Sequence, residues 1–398
     1  MTGEWKSQRW GDLATLEYGK GLRGYKGAEG PYRVFGTNGP IGWHTEPLCE
    51  HASVIVGRKG AYRGIHYSPT PCYVIDTAFY LDPKTRIDMR WAYYELLTHD
   101  INSMDSGSAI PSTSRESFYH LPVRVPPLPE QKAIAHVLGT LDDKIALNRR
   151  MNETLEQVAR ALFKSWFVDF DPVRAKADGR ESGLPPEIAD LFPDSFEDSS
   201  LGPIPEGWEA TCLGEVVQIH DSKRIPLSRR ERAKRQGSYR YYGAAGILDY
   251  VDDYLFDGIY VLVGEDGSVV DDEDHPVVQY VWGRFWVNNH AHVLTGARGV
   301  SNEHLLLALR NTYIRPYVTG AVQPKLNQTN LKAVPFVIPD DDVCEAFNRC
   351  IQPLFARFRA NHDESHTLAA IRDALLPKLL SGEIEIPEAD SVFEGVAS

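Results

Sequence analysis

Basic residues that could bind phosphate or the edges of bases are concentrated in two short segments. One holds seven positive charges within thirteen residues, interrupted by a single acid, Glu231: Lys223, Arg224, Arg229, Arg230, Arg232, Lys234 and Arg235. In the other, Arg58 and Lys59 lie between Gly57 and Gly60, with Arg63 close by. Because Arg and Lys bind both phosphate and guanine, the pattern predicts contact with duplex DNA. A solvated surface loop is the alternative interpretation of residues 223–235.

A second pair of segments carries polar side chains on a shared framework. Residues 107–114 (GSAIPSTS) and 320–328 (GAVQPKLNQ) keep their Gly and Pro but differ in their polar residues. Different side chains on one framework suit two sites that bind different bases, and Asn and Gln are suited to adenine. The alternative is ordinary sequence drift in a surface loop. The candidate DNA-contacting residues are Asn38, Arg58, Lys59, Arg63, Ser112, Lys223, Arg224, Arg229, Arg230, Lys325, Asn327 and Gln328.

The sequence lacks the motifs of common active sites. It has no GxxxxGK[ST], HExxH or GxSxG pattern and no Asn/Asp-Pro-Pro-Tyr/Phe stretch of the kind that adenine methyltransferases carry. His290 and His292 alternate along an expected strand and so face opposite ways, which argues against a shared metal. His362 and His366 are one helical turn apart without a third ligand. We therefore expect neither a catalytic site nor a metal site.

Composition limits where a polyanion could bind and in which compartment the chain works. The 398 residues carry a formal net charge of -13, so any DNA-binding surface must be local. The five cysteines form no CxxC pair and are odd in number, which argues against a disulfide framework or a zinc ribbon. No stretch of about 18 apolar residues occurs. We expect a soluble, cytoplasmic protein.

An internal repeat organises the chain. Tyr32 and Arg33 recur 207 residues later as Tyr239 and Arg240, and the spacing then becomes 213, so that Pro111 matches Pro324. The six extra residues fall in the acidic stretch around residues 271–274. Each copy begins with short aromatic-rich runs punctuated by Gly and Pro, typical of strands, and ends in a long Leu- and Ala-rich tail, typical of a helix.

The two tails repeat one coiled-coil seam, in which apolar steps of three and four residues are interrupted by polar residues. Its positions are Ile134, Leu138, Leu141, Ile145, Asn148, Asn152, Leu155, Val158, Leu162 and Trp166 in the first tail, and Phe347, Ile351, Leu354, Phe358, Asn361, Ser365, Leu368, Ile371, Leu375 and Leu379 in the second. Since the termini of a domain commonly lie close together, the helices should be antiparallel. Asn148 would then face Ser365, and Asn152 would face Asn361. The alternative is two helices that each pack on their own domain.

The sequence thus predicts an α+β fold. Two tandem-duplicated mixed α/β domains are separated by two long helices that form an antiparallel coiled coil, with approximate two-fold symmetry. We call residues 1–126 the first head and residues 208–339 the second head. The remaining predicted segments are a first long helix (127–170), a linker (171–207), a second long helix (340–386) and a flexible tail (387–398).

Several segments resemble the specificity subunit of type I restriction-modification systems. They are residues 125–135 (VPPLPEQKAIA), 141–145 (LDDKI), 161–173 (ALFKSWFVDFDPV), 191–196 (LFPDSF), 201–208 (LGPIPEGW) and 324–331 (PKLNQTNL). The second tail departs from this pattern, because it begins Pro339-Asp340-Asp341-Asp342 instead of with Pro-Glu-Gln. If partner subunits bind this start, the two contacts need not be equal.

The resemblance implies a DNA-binding, non-catalytic subunit whose heads are target-recognition domains. Each would recognise one half of a bipartite asymmetric DNA sequence, while the helices set the spacer and dock two methyltransferase subunits. Two restriction subunits, each a translocase and nuclease, would complete the complex. S-adenosylmethionine, ATP and Mg²⁺ are expected on those partners and none on this chain. The alternatives are a nuclease or methyltransferase that acts alone and a coiled-coil scaffold that does not touch DNA.

Overall fold

The structure is a computed structural model that describes residues 5–104, 111–320 and 322–386. The predicted flexible tail, 387–398, and the start of the 107–114 loop lie outside these ranges. The chain forms two compact units, one ending at Leu147 and resuming at Glu364, the other running from Asn148 to Asp363. All five cysteines are free thiols. Among the described residues, we find no helix with the length and apolar character needed to cross a bilayer.

The first unit contains small sheets and short helices around an aromatic core. Its strands are β1 Lys6–Arg9, β2 Ala14–Tyr18, β3 Tyr32–Gly36, β4 Gly39–His44, β5 Ser53–Gly57, β6 Ile65–Ser68, β7 Tyr73–Val74, β8 Ala78–Pro83 and β9 Pro122–Val125. The main sheet has the order β2-β8-β5-β6, a second has the order β4-β3-β7, and β1 pairs with β9. Its helices are α1 Trp10–Leu13, α2 Met89–Leu96 and α3 Arg115–Tyr119, with a 3-10 turn at Ile101–Ser103. Trp10 stacks on Trp91 within this core.

The second unit is built on one larger sheet, with the order β13-β18-β16-β17-β14-β15. Its strands are β10 Phe196–Ser199, β11 Gly202–Pro205, β12 Glu209–Cys212, β13 Val217–Ile219, β14 Gln236–Tyr242, β15 Ile247–Val251, β16 Phe256–Gly264, β17 Val278–Val287, β18 Ala291–Gly296 and β19 Pro335–Ile338. Its short helices are α5 Asp171–Ala177, α6 Pro186–Ala189, α7 Leu213–Val216, α8 Arg229–Lys234, α9 Asn302–Arg310 and α10 Gln328–Lys332. Two 3-10 turns, Asp221–Lys223 and Arg315–Tyr317, complete it.

The stretch between the first long helix and the second head is folded against the second unit. Residues 171–207 hold α5, α6 and the β10–β11 hairpin. Val173, Phe192 and Ile204 are buried in the same core as Trp166 and Trp208. Burying these apolar side chains stabilises the segment, so this linker is anchored to the second unit.

The repeat is visible in the strand register. β5 pairs with β8 so that Gly57 faces Ala78, and β16 pairs with β18 so that Gly264 faces Ala291. These partners are related by the spacings of 207 and 213 found in the sequence. The six added residues follow β16, where they extend the connection to β17.

Two long helices follow the heads: α4 Leu128–Phe167 and α11 Asp341–Ser381. Acidic residues occupy the first turn of each, where they interact favourably with the helix dipole. Gly139 lies inside α4 because Arg90 packs there: a Cβ on Gly139 would lie 2.5 Å from the guanidinium carbon. Arg90 donates to the Gly139 carbonyl oxygen at 3.0 Å.

The helices pair antiparallel in each unit. In the first unit, Arg372 binds Asp142 at 2.6 Å and Lys144 lies 3.2 Å from Glu364. In the second unit, Asn152 Nδ2 donates to the Phe358 carbonyl oxygen at 3.1 Å, and Phe163 contacts Phe347. Residue numbers fall along one helix as they rise along the other. With the mixed α/β heads, this confirms the predicted fold class.

A polar layer interrupts the apolar seam in the second unit. Asn148 Nδ2 lies 3.3 Å from the Asn361 carbonyl oxygen, and Asn361 Nδ2 donates to Asn152 Oδ1 at 2.9 Å. Asn148 and Asn361 are both buried. The predicted pairing of Asn148 with Ser365 stays a prediction.

Most of the remaining seam positions are buried or half-buried. Ile134, Leu138, Ile145, Phe347 and Ile351 are buried, and Leu141, Leu155, Leu162, Leu354, Phe358, Ser365, Leu368 and Leu375 are half-buried. The positions predicted at Val158 and Ile371 are wrong, since each side chain is 43% exposed. Ala159 and Phe163 are buried instead of Val158, because this part of α4 also packs on the core of the second head. There Phe163 contacts His304 of α9.

Candidate nucleic-acid interface

In each head, the turn that follows a central strand is joined to a distant polar loop. In the first head, the Gly60 amide donates to the Pro111 carbonyl oxygen at 3.0 Å, and the Thr113 amide donates to the Arg58 carbonyl oxygen at 2.9 Å. Lys59 and Ser112 form a β-bridge between these bonds. We call residues 57–60 with 111–114 the first loop pair.

The second head repeats these bonds at equivalent positions. The Gly267 amide donates to the Pro324 carbonyl oxygen at 3.1 Å, and the Leu326 amide donates to the Glu265 carbonyl oxygen at 2.8 Å. Asp266 and Lys325 form the equivalent β-bridge. We call residues 264–267 with 324–328 the second loop pair. In both heads, a charged turn is therefore hydrogen-bonded to the loop whose polar residues we expected to contact DNA. The turn is basic in the first head and acidic in the second.

The first loop pair presents cations beside aromatic rings. The Arg58 guanidinium lies 4.8 Å from the centre of the Tyr18 ring, and its Nη1 donates to the Asp76 carbonyl oxygen at 2.9 Å. Lys59 and Ser112 are half-buried on the same loops. Asn38 is exposed, and with its amide oriented to satisfy its hydrogen bonds, Nδ2 donates to the Tyr62 carbonyl oxygen at 2.7 Å.

The predicted contact of Arg63 with DNA is wrong. This side chain is only 4% exposed, and its Nη2 donates to the Asn102 carbonyl oxygen at 2.7 Å and the Ile101 carbonyl oxygen at 3.4 Å. Arg63 follows the loop by only three residues, but the chain turns inward at Gly64 to begin β6. Proximity in sequence to Arg58 did not reveal this burial.

The second loop pair presents a mixture of charges. Lys325 is half-exposed, with Nζ 3.7 Å from Glu265 Oε1, and Gln328 is exposed, with Nε2 3.5 Å from Asp221 Oδ2. Asn327 caps α10, because its Oδ1 accepts a hydrogen bond from the Asn330 amide at 2.8 Å. That oxygen therefore has a structural role, which the loop pattern alone did not indicate.

Beneath the second loop pair lies a charged cluster that sequence patterns did not reveal. Asp221, Glu265 and His292 come together, and their potential ligand atoms lie within 4.8 Å of one another. Arg224 fills the cluster, with Nη1 2.8 Å from Glu265 Oε2 and Nη2 3.3 Å from Asp221 Oδ2. The Arg224 guanidinium thus occupies the space between the carboxylates in which a metal ion would have to bind. The four residues come from three segments that are distant in sequence, with only Asp221 and Arg224 close together, and they match no motif, so no spacing signal could have found them.

The burial of Arg224 likewise argues against its predicted contact with DNA. Its side chain is 12% exposed, because both carboxylates and the Ala291 carbonyl oxygen bind it. His290 lies in the turn before β18, where it is half-exposed and pairs with Asp266, whereas His292 lies on β18, is buried and pairs with Asp221.

The rest of the basic segment divides into paired and exposed residues. Arg232 binds Asp249 at 3.0 Å and Arg235 binds Asp252 at 2.9 Å. Four others are exposed, with no ion pair to any residue that the structure describes: Lys223, Arg229, Arg230 and Lys234. Ser228 caps α8 and so fixes the helix that carries Arg229 and Arg230. This small helix forms an exposed positive surface on the second head, on a chain whose net charge is negative.

The two loop pairs share one backbone arrangement, but the side chains of their turns carry opposite charges. Glu265 stands where the first head has Arg58, and Asp266 where it has Lys59. Lys325 stands in the place of Ser112, and His292 in the place of Phe79. Arginine and lysine suit guanine and phosphate, whereas carboxylates accept hydrogen bonds from cytosine N4 and amides suit adenine. The two heads can thus offer different hydrogen-bonding groups from one framework.

Known proteins share both the sequence pattern and the fold. A family model described as the type I restriction modification DNA specificity domain matches residues 3–157 and 205–352. The chain is 26% identical over 384 residues to the type I restriction enzyme HindI specificity subunit of Haemophilus influenzae, covering 78% of this chain and 81% of that protein. It is 24% identical over 327 residues to the MjaIX specificity subunit of Methanocaldococcus jannaschii, covering 77% and 71%.

A solved structure agrees in fold. The S subunit of a type I restriction-modification system from M. genitalium superposes with a TM-score of 0.65 at 16% identity, covering 94% of this chain and 96% of that one. The two matches to the family model coincide with the two copies of the internal repeat and together span most of the chain. The chain therefore belongs to the family of type I restriction-modification DNA specificity proteins.

Proposed function

We propose that this chain is the DNA sequence-specificity subunit of a type I restriction-modification complex and has no catalytic role of its own. Each head recognises one half of a bipartite asymmetric target through its loop pair. The observation that carries the proposal is the shared backbone of the two loop pairs, which presents Arg58 and Lys59 in one head and the exposed Lys325 and Gln328 in the other. A duplicated protein needs such a difference to recognise two unlike half-sites.

The long helices supply the spacer between the half-sites. Each is about 60 Å long at 1.5 Å per residue, and the polar layer of Asn148, Asn152 and Asn361 favours a single register of pairing. Two methyltransferase subunits dock on the helices, and two restriction subunits join them. S-adenosylmethionine, ATP and Mg²⁺ bind to these partners and not to this chain.

Sequence-selective binding tests the proposal. The full chain in complex with its methyltransferase subunits should shift a duplex that carries its target and release it when either half-site is changed. Binding without sequence preference would contradict the proposal. Turnover of DNA by the isolated chain would favour the alternative of an enzyme that acts alone.

The exposed cations of α8 should contribute to affinity but not to folding. Replacing Arg229 and Arg230 with Ala should weaken binding and reduce the slope of log affinity against log salt by about 2, since each phosphate contact contributes about 0.9. The control is Arg232→Ala, which breaks the ion pair with Asp249. An unchanged slope in the double variant would remove α8 from the interface.

A further inference from the structure

The ring of His292 in the second head has hydrogen-bond acceptors at both nitrogens. Its Nδ1 lies 2.6 Å from Asp221 Oδ2, and its Nε2 lies 2.8 Å from the Leu326 carbonyl oxygen. A carbonyl oxygen can only accept, so Nε2 must carry a hydrogen. If Asp221 is ionised, Nδ1 must carry one as well, and the ring is then a buried imidazolium, 1% exposed.

The surroundings of Asp221 require that it be ionised. Its Oδ1 accepts from the Val293 amide at 3.0 Å, and Oδ2 faces Arg224 Nη2 at 3.3 Å and Gln328 Nε2 at 3.5 Å, besides His292. Apart from His292, whose protonation is in question, each of these neighbours donates: the Val293 amide, Arg224 and Gln328 Nε2. Burial raises the pKa of Asp221, but the hydrogen bonds from His292 and Val293 and the positive charges of His292 and Arg224 outweigh burial and leave the pKa below its ordinary value.

The cluster is balanced in charge and closed to solvent. Arg224 and His292 supply two positive charges, and Asp221 and Glu265 two negative ones, with all four side chains at most 16% exposed. The other charged groups nearby are Lys325, whose Nζ lies 3.7 Å from Glu265, and the His290–Asp266 pair at the rim. Without one of its two ring hydrogens, His292 would leave either the Asp221 carboxylate or the Leu326 carbonyl oxygen without a donor from this ring.

The cluster connects the strands of the second head to its polar loop. His292 lies on β18 and Glu265 follows β16, while the Leu326 carbonyl oxygen belongs to the loop that carries Lys325 and Gln328. The first head has a different arrangement, because Phe79 replaces His292 and Arg58 replaces Glu265. There the Arg58 guanidinium lies 5.8 Å from the centre of the Phe79 ring. Of the two heads, the second alone uses a charged histidine at this position.

We propose that protonated His292, held by Asp221 and Glu265, is a positioning residue that fixes the Leu326 carbonyl and so orients Lys325 and Gln328 for recognition of the second half-site. This rests on the proposed function of the heads. Both ring hydrogens serve this anchoring: the one on Nδ1 holds the ring against Asp221, and the one on Nε2 binds the Leu326 carbonyl oxygen.

The test uses the full chain in complex with its methyltransferase subunits and duplexes altered in one half-site or the other. His292→Phe introduces the residue that the first head has at this position. We expect discrimination at the second half-site to fall about tenfold or more, in the range of one good base contact, with the first half-site changed less than about twofold. His292→Gln, whose side-chain amide can still donate one hydrogen bond toward the Leu326 carbonyl oxygen, should keep more of the discrimination at the second half-site than His292→Phe.

The outcomes separate this inference from the proposed function. A wild-type complex that binds DNA without sequence preference overturns the proposed function. A selective wild-type complex, together with a His292→Phe complex that discriminates equally well at the second half-site, overturns the role of His292. If the variant does not fold, nitrogen-15 NMR of the wild-type chain decides instead: two ring N–H groups on His292 at pH 7 are expected, and one would overturn the inference.

Discussion

Arg58 and Arg63 of the first head are five residues apart, yet their surroundings give them different roles. Arg58 lies half-buried against the Tyr18 ring on the first loop pair, whereas Arg63 is enclosed beneath it by carbonyl oxygens of the 3-10 turn. Sequence spacing located both cations near a Gly-rich turn. It could not show which one points inward, because that depends on the turn at Ile101–Ser103, about forty residues later.

Replacing Arg63 with Ala should destabilise the chain without a specific effect on DNA recognition. The change leaves the Ile101 and Asn102 carbonyl oxygens without this donor and should lower the free energy of unfolding by about 2–4 kcal/mol. Urea denaturation measures this. The matched control, Lys59→Ala, should change stability by less than about 0.5 kcal/mol and weaken binding to the first half-site. The reverse pattern would place Arg63 at the interface.

His304 is a buried titratable residue that the sequence pattern did not identify. It lies on α9 among Phe163, Phe167 and Phe347, and burial lowers its pKa to about 3. The unfolded chain binds a proton at this residue near pH 6.5, whereas the folded chain does not. Stability is therefore fully present above about pH 6.5 and falls as the pH drops toward the folded pKa.

Acid should destabilise the wild type partly through His304. Between pH 7 and pH 5, this residue should account for about 2 kcal/mol of lost stability. His304→Leu should remove that part of the pH dependence in urea denaturation, whereas the exposed control His120→Leu should leave it in place. Identical pH dependence in wild type and His304→Leu would show that His304 is not neutral in the folded chain.

Among the elements of the fold, the two long helices are predicted by the sequence, but the details of which side chains they bury are not. The repeated seam predicted both helices. The expected closeness of domain termini predicted their antiparallel pairing and, with the seam, the meeting of Asn152 with Asn361. The seam misplaced Val158 and Ile371, because a strict coiled-coil period holds only where a helix faces one partner. Near Phe163 the helix also contacts α9, so a broader face is buried.

The helices should set the length of DNA between the half-sites. Deleting residues 144–147 and 364–367 together removes about 6 Å of rise from each helix, and at about 3.4 Å per base pair the preferred spacer should shorten by one or two base pairs. Selection of bound sequences from a randomised-spacer library measures this. Alanine at the same eight positions, which keeps the helix length, is the control. An unchanged spacer after deletion would contradict this role of the helices.

At the scale of the whole molecule, the duplication made the fold predictable. Two similar sequences with the same strand, turn and helix signals must build two similar heads, and the strand registers of β5–β8 and β16–β18 agree with the spacings seen in the sequence. The Asp221–Arg224–Glu265–His292 cluster escaped prediction, because it forms only when three distant segments meet. The net charge of -13 pointed to no particular surface, and the contacts of residues 223–235 show which of their cations are paired and which are exposed.

The central claim is that each head recognises one half of the target on its own. Replacing residues 1–126 with the first head of another family member keeps the second head and both helices. Mapping methylated adenines in cells that express the chimera with its partner subunits, beside the wild type, tests the claim directly. We predict a bipartite motif in which only one half changes and the spacer stays the same. Changes in both halves, or in neither, would contradict the account.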